Sequence, residues 1–194
     1  MTTRFQLHKW KLLDEVSCNM SPEEDTSRMS TSFSCPSPSF LPPDSHFIGK
    51  KEEIIQARRV TKLVNGCRDV LVLYHQGRLH AMDMRCYHSG GVLEHGDIEE
   101  FDGRLCIVCP WHKYKITLAE GEALYQAVDN PGAKPLQTHW RSKGVKQRIH
   151  RVTEVSGDVY VTLNSSTEVI ESDTYQTEKY RTAFLSPQLQ RTMK

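Results

Sequence analysis

Apolar residues along this chain fall in short runs separated by turn-forming pairs, and no helical period is sustained for long. Residues 60–64 read as a strand ending at Asn65-Gly66, a pair favoured in two-residue hairpin turns. The run Asp69-Val70-Leu71-Val72-Leu73-Tyr74-His75 is almost continuously apolar, which predicts a strand buried on both sides. Gln76-Gly77 turns the chain into a strand over 78–85, and Asp102-Gly103 leads into another over 104–108. Residues 115–118 and 123–125 flank Glu120-Gly121 as a further hairpin, and Ser156-Gly157 joins the last two strands, 145–155 and 158–163. A turn of helix is expected around 52–56. Residues 129–143 contain Pro131, Gly132 and Pro135 and read as a long surface loop. Short strands linked by glycine turns predict an all-β fold, a small antiparallel sandwich or barrel.

Composition changes this picture mainly at the two ends. A chain of 194 residues suits one domain with tails. Ser, Pro and Thr dominate 17–45, where aliphatic residues are too few to offset the entropy of ordering, so 1–45 is expected to be a disordered tail. The ordered domain then spans 46–163. From Asn164 the sequence is polar again, and 164–194 is expected to be a tail in spite of Tyr175, Tyr180, Phe184 and Leu185. A formal net charge of +1 gives no field to steer the chain to nucleic acid or an anionic membrane. No apolar run approaches the ~20 residues of a membrane span. Arg4, Lys9 and Lys11 faintly suggest a transit peptide, but Asp14 and Glu15 follow at once, as in an ordinary N-terminus. The six cysteines, Cys18, Cys35, Cys67, Cys86, Cys106 and Cys109, come without a secretory signal. Free thiols and an intracellular, cytoplasmic protein are therefore expected.

Two of these cysteines stand beside histidines, in Cys86-Tyr87-His88 and in Cys109-Pro110-Trp111-His112. The intervening residues 89–108 are long enough to leave one loop, form a hairpin and return. Two thiolates and two imidazoles suit either zinc or an iron–sulfur centre. Structural zinc sites usually pair like with like, as C-x2-C and H-x3-5-H, whereas each loop here carries one of each. One Cys and one His per loop suits a two-iron centre with the cysteines on one iron and the histidines on the other. Gly90-Gly91 beside the first pair lets backbone N–H groups approach sulfur closely.

His88-Ser89-Gly90-Gly91 and Cys109-Pro110-Trp111-His112-Lys113-Tyr114 resemble the two cluster loops of the Rieske [2Fe–2S] family, in particular its soluble ferredoxin-like members. The resemblance covers roughly residues 47–163. It implies a Rieske-like antiparallel β sandwich or barrel with a two-loop cluster-binding subdomain. It also implies a [2Fe–2S] cluster as cofactor, with Cys86, His88, Cys109 and His112 as its ligands. High-potential relatives carry an extra, disulfide-bonded cysteine in each loop, at positions that are Gly91 and Trp111 here. The Ser and Tyr hydroxyls they place near the sulfurs fall at Tyr114 and Ile116. Both departures imply a low potential, ~−150 mV. Lys113 occupies a position where related sequences often have Gly.

Oxygenases of the family join this domain to a second one, with two His and a carboxylate on a mononuclear iron. After Leu163 only a polar stretch without histidine remains. The expected role is therefore a one-electron carrier without catalysis of its own, not an enzyme in itself but a monomeric link between a flavoprotein reductase and an oxygenase-like acceptor enzyme. A redox-sensing, cluster-bearing interaction module is the alternative, and a zinc-stabilised structural module the third reading. Cys106 reads as a small buried hydrophobe, Cys67 has no ligand-spaced partner, and His75, His80 and His95 read as ordinary structural or surface residues. The basic residues Arg141, Lys143, Lys146, Arg148, His150 and Arg151 read as a solvated face. The sharper reading is a docking patch for an acidic redox partner. Nucleic-acid binding is disfavoured, since no aromatic stacking platform accompanies the charges.

Overall fold

The computed structural model describes residues 41–185. Most of the expected N-terminal tail, with Cys18 and Cys35, lies outside the described residues. A six-stranded antiparallel sheet runs in the order β1 (Ser45–Lys50), β11 (Asp158–Thr162), β10 (Ile149–Val155), β4 (Arg78–Asp83), β3 (Arg68–His75) and β2 (Arg59–Val64). A five-stranded sheet runs β5 (Asp97–Phe101), β6 (Arg104–Val108), β7 (Lys115–Thr117), β8 (Glu122–Val128) and β9 (Thr138–Val145). The whole second sheet lies in sequence between β4 and β10, which are neighbours in the first. This is the all-β, two-part architecture the sequence predicts.

β3 divides the two halves of the core. Val70, Leu71, Val72 and Leu73 are all fully buried, as the continuous apolar run predicts. Because strand side chains alternate in direction, Val70 and Val72 join Ile54, Ala81, Val159 and Val161 on one side. Leu71 and Leu73 join Met82, Leu93, Ile107, Ile116 and Leu118 on the other. Each of the Val, Leu, Ile and Met side chains among them contributes about 1.5–3 kcal/mol of burial. The second cluster includes Cys86 and Cys109, so the candidate site rests on the core. The short helix α1 (Lys51–Ala57), over the predicted helical turn, buries Ile54.

Three expectations are corrected. Residues 129–143 are not one long loop, because β9 pairs with β8 as a hairpin and Trp140 packs on Phe101 with ring centroids 4.7 Å apart. The expected strand 145–155 is broken at Lys146-Gln147-Arg148, where the amides of Lys146 and Gln147 both donate to the carbonyl of Gly121 at 2.9 and 3.0 Å. A Cβ on Gly121 would come within 2.0 Å of the Gln147 carbonyl oxygen, so glycine is required for this close approach. Finally, the segment after 164 does not run free throughout. A 3-10 turn, Glu171–Gln176, and the helix α2 (Glu178–Leu185) follow it, and Ile170 and Ser172 are buried. Its polar residues find partners within the protein. Ser172 donates to Asp83 at 2.6 Å, and Asp173 receives Arg148 at 2.6 and 2.8 Å and also Arg68.

Candidate metal centre

The two loops leave β4 and β6 at the same end of the molecule and share one backbone pattern. In the first, the amide of Gly90 donates to the Cys86 carbonyl at 2.8 Å, and the amide of Cys86 donates to the Gly91 carbonyl at 2.9 Å. In the second, Lys113 donates to the Cys109 carbonyl at 2.9 Å, and Cys109 donates to the Tyr114 carbonyl at 2.8 Å. Both corners are left-handed, with φ of 72° at Gly90 and 58° at Lys113. The lysine thus follows the path of the glycine. The amides of His88 and Ser89 donate to the Cys86 sulfur, and those of Trp111 and His112 to the Cys109 sulfur.

This pattern brings the four candidate residues together in two tiers. Cys86 and Cys109 are buried, 1% and 2% exposed, and hydrogen-bonded to each other. The shared proton and burial push the Cys86 thiol up, while the same hydrogen bond draws Cys109 down to about 6, helped by the Trp111 and His112 amides. His88 and His112 are exposed above them, with ring centroids 5.0 Å apart and planes at 87°. Partial burial lowers the His88 pKa, and His112 and Lys143 lower it further. Tyr114 stacks on His88 at 4.0 Å and 21°, and Lys143 lies over the Tyr114 ring at 5.9 Å. Among the described residues, no three His, Cys, Asp or Glu side chains converge on the position of one metal ion. The donors form a sulfur pair and a nitrogen pair, a set that fits a two-iron group with unlike ends.

Gly91 and Trp111 lie side by side. A Cβ built on Gly91 would be 3.0 Å from both the Cys109 sulfur and the Trp111 ring, so a larger residue there would push the second loop away. Ile116 is fully buried in the core and Tyr114 is committed to stacking on His88. Cys106 is buried, and burial raises its thiol to about 11; Cys67 is exposed in a turn. His75 and His80 line an open cleft of about 420 Å³ with Arg78 and Arg104, at the opposite ends of the strands from the two loops.

The basic stretch is also corrected in part. Arg148 and His150 are buried, not solvated, because Asp173 and Asp83 offset their charge and polarity. Lys146 pairs with Glu171. Arg141 and Lys143 remain exposed. Sequence reasoning missed Gln147, which is fully buried. Its amide nitrogen donates to the carbonyls of Asp83 and Arg85, each at 2.8 Å, and its oxygen accepts the Tyr87 amide at 2.9 Å. Tyr175 was missed too, and its hydroxyl donates to the His88 carbonyl at 2.8 Å. A lone Gln between basic residues and a Tyr in a polar stretch give no periodic or spacing signal.

No described helix is long and apolar enough to cross a membrane. Residues 46–166 match the family of soluble Rieske-type ferredoxins. A human Rieske domain-containing protein is 54% identical over 136 residues, which cover 69% of this chain and 84% of that protein. Among solved structures, the ferredoxin of carbazole 1,9a-dioxygenase from Nocardioides aromaticivorans is 17% identical, with a TM-score of 0.44, over 62% of this chain and 98% of that one. Escherichia coli NirD is 19% identical, with a TM-score of 0.44, over 63% and 99%. On the extent of the family match and the identity to the human protein, the chain belongs to the soluble Rieske-type ferredoxins.

Proposed function

We propose that Cys86, Cys109, His88 and His112 hold a [2Fe–2S] cluster, and that the chain carries single electrons between a flavoprotein reductase and an acceptor enzyme. The observation that carries this reading is the two-tier donor set, a buried thiol pair beneath an exposed imidazole pair. When bound, the group supplies a site that accepts and returns one electron. The chain supplies the rest. The four loop amides on the two sulfurs stabilise thiolate charge, and the close-packed core beneath them keeps water from the sulfur end. Gly91 and Trp111 leave no disulfide between the loops, and Ile116 brings no hydroxyl to the sulfurs. These features support a low potential, ~−150 mV, within the range of such centres.

The exposed imidazoles are the exit for the electron. His88, His112, Lys113, Lys143 and the Tyr125 ring beneath the Lys143 ammonium make this surface basic and partly aromatic, which favours a partner with an acidic face. The test is EPR of the anaerobically reconstituted, dithionite-reduced protein. One unpaired spin per chain is expected, and His112→Ala should abolish the signal. A colourless protein that holds zinc, or a His112→Ala variant with an unaltered spectrum, would overturn the assignment.

A further inference from the structure

Tyr175 and the residues that anchor it lie beyond residue 166, where the match to the family ends, yet they reach the first loop. The segment is held down firmly. Ser172 is fully buried, accepts the Arg148 amide at 3.0 Å and donates to Asp83. Asp173 receives the guanidinium of Arg148 and closes the turn by accepting the Ile170 amide at 3.0 Å. Gln176 pairs with the backbone of Asp69 in both directions, at 2.9 and 3.3 Å. Between these anchors, Tyr175 is placed so that its hydroxyl meets the His88 carbonyl.

That carbonyl belongs to the same peptide unit as the Ser89 amide, and the Ser89 amide donates to the Cys86 sulfur. The contacts therefore form a relay, from the Tyr175 hydroxyl through the His88–Ser89 peptide to sulfur. A donor at the carbonyl end polarises the peptide and makes its N–H a stronger donor at the other end. Stronger hydrogen bonds on a ligating sulfur stabilise the more negative, reduced state of an iron–sulfur centre.

We propose that the C-terminal segment is a strap that tunes the first loop, with Tyr175 as a positioning residue that strengthens the Ser89 hydrogen bond to Cys86 and raises the reduction potential. This rests on the cluster reading above. It adds a control element supplied by residues outside the two loops.

The test compares full-length wild type, Tyr175→Phe and Tyr180→Phe, all reconstituted, by redox titration followed by EPR. Tyr180 packs on Tyr175 with centroids 5.1 Å apart and serves as a control for ring packing. Tyr175→Phe is expected to shift the reduced-to-oxidised ratio at fixed ambient potential about threefold toward oxidised, about 30 mV at 59 mV per decade. Tyr180→Phe is expected to leave it unchanged. A chain ending at Thr174, which keeps Ser172 and Asp173, should shift in the same direction as Tyr175→Phe. An unchanged midpoint in Tyr175→Phe and in the chain ending at Thr174, with or without a lower melting temperature, would mark a merely structural contact and overturn the proposal. A wild type without an EPR signal would instead defeat the cluster reading itself.

Discussion

Gly90 and Lys113 occupy equivalent corners of two loops whose backbone hydrogen bonds match one for one, yet the loops are supported differently. The first loop, 86–91, is held from a distance. Gln147 bridges three backbone groups around it, Tyr175 caps the His88 carbonyl, and Asp83, the last residue of β4, ties the strand below it to Arg68, His150 and Ser172. The second loop, 109–114, follows β6, whose partner strands are its neighbours in sequence, and its Trp111 packs against Gly91. One geometry can thus be reached through a long-range polar network or through a local hairpin. The two should respond differently to substitution.

The largest difference is expected at Asp83. Its carboxylate is fully buried, and Asp83→Asn removes a charge on which Arg68 and His150 depend. A loss of about 3–5 kcal/mol is expected by urea denaturation, with the first loop loosened before the second in hydrogen exchange. The same carboxylate makes stability depend on pH. Burial raises its pKa, but the hydrogen bonds from His150 and Arg68 outweigh that and hold it below the ordinary value. Asp173 is lowered likewise, with Arg148, the Ile170 amide and Arg68 outweighing its burial. A carboxylate with a depressed folded pKa stabilises above its unfolded value, about 3.9, and loses that contribution as pH falls through the folded one. Stability should therefore hold from neutrality down to about pH 4 and decline below it, less steeply in Asp83→Asn.

Gln147→Ala is expected to come next, costing about 2–3 kcal/mol because the amide of Tyr87 and two carbonyls lose their partner. Cluster content per chain, read by iron analysis, should fall more than in a matched substitution at Lys113. Gly91→Ala acts across the gap between the loops. Its methyl group would meet the Cys109 sulfur and the Trp111 ring, for a cost of about 1–3 kcal/mol and an altered EPR line shape. The smallest effect is expected from Lys113→Gly, which relieves a left-handed non-glycine corner and should stabilise the protein by about 1 kcal/mol. An equal response of both loops to Gln147→Ala would erase the proposed contrast.

The parts legible in the sequence are those with local signals. The two Cys-His pairs stand out by their spacing, β3 by its unbroken apolar run, and the hairpin at Asp102-Gly103 by its turn pair, whereas Asn65-Gly66 marks a hairpin whose turn takes in Cys67 as a third residue. The supports of the first loop carry no such signal. Ser172 and Asp83 are 89 positions apart, and neither residue's neighbours announce the other. Arg148 and His150 look solvated in sequence because their partners on Asp173 and Asp83 are remote. β9 was hidden by its mostly exposed side chains, since a strand with little burial shows little alternation.

The placement of the whole five-stranded sheet between β4 and β10 has a consequence for how such a protein can be altered. The excursion leaves and re-enters at adjacent points, where the Asp83 amide donates to the Arg148 carbonyl at 3.0 Å. Replacing 84–147 with a short turn would restore an ordinary hairpin in the host sheet. The excursion is therefore an insertion with its ends already spliced, and any exchange of it has to keep an apolar face for Leu71, Leu73 and Met82, which pack on its Leu93, Ile107 and Ile116.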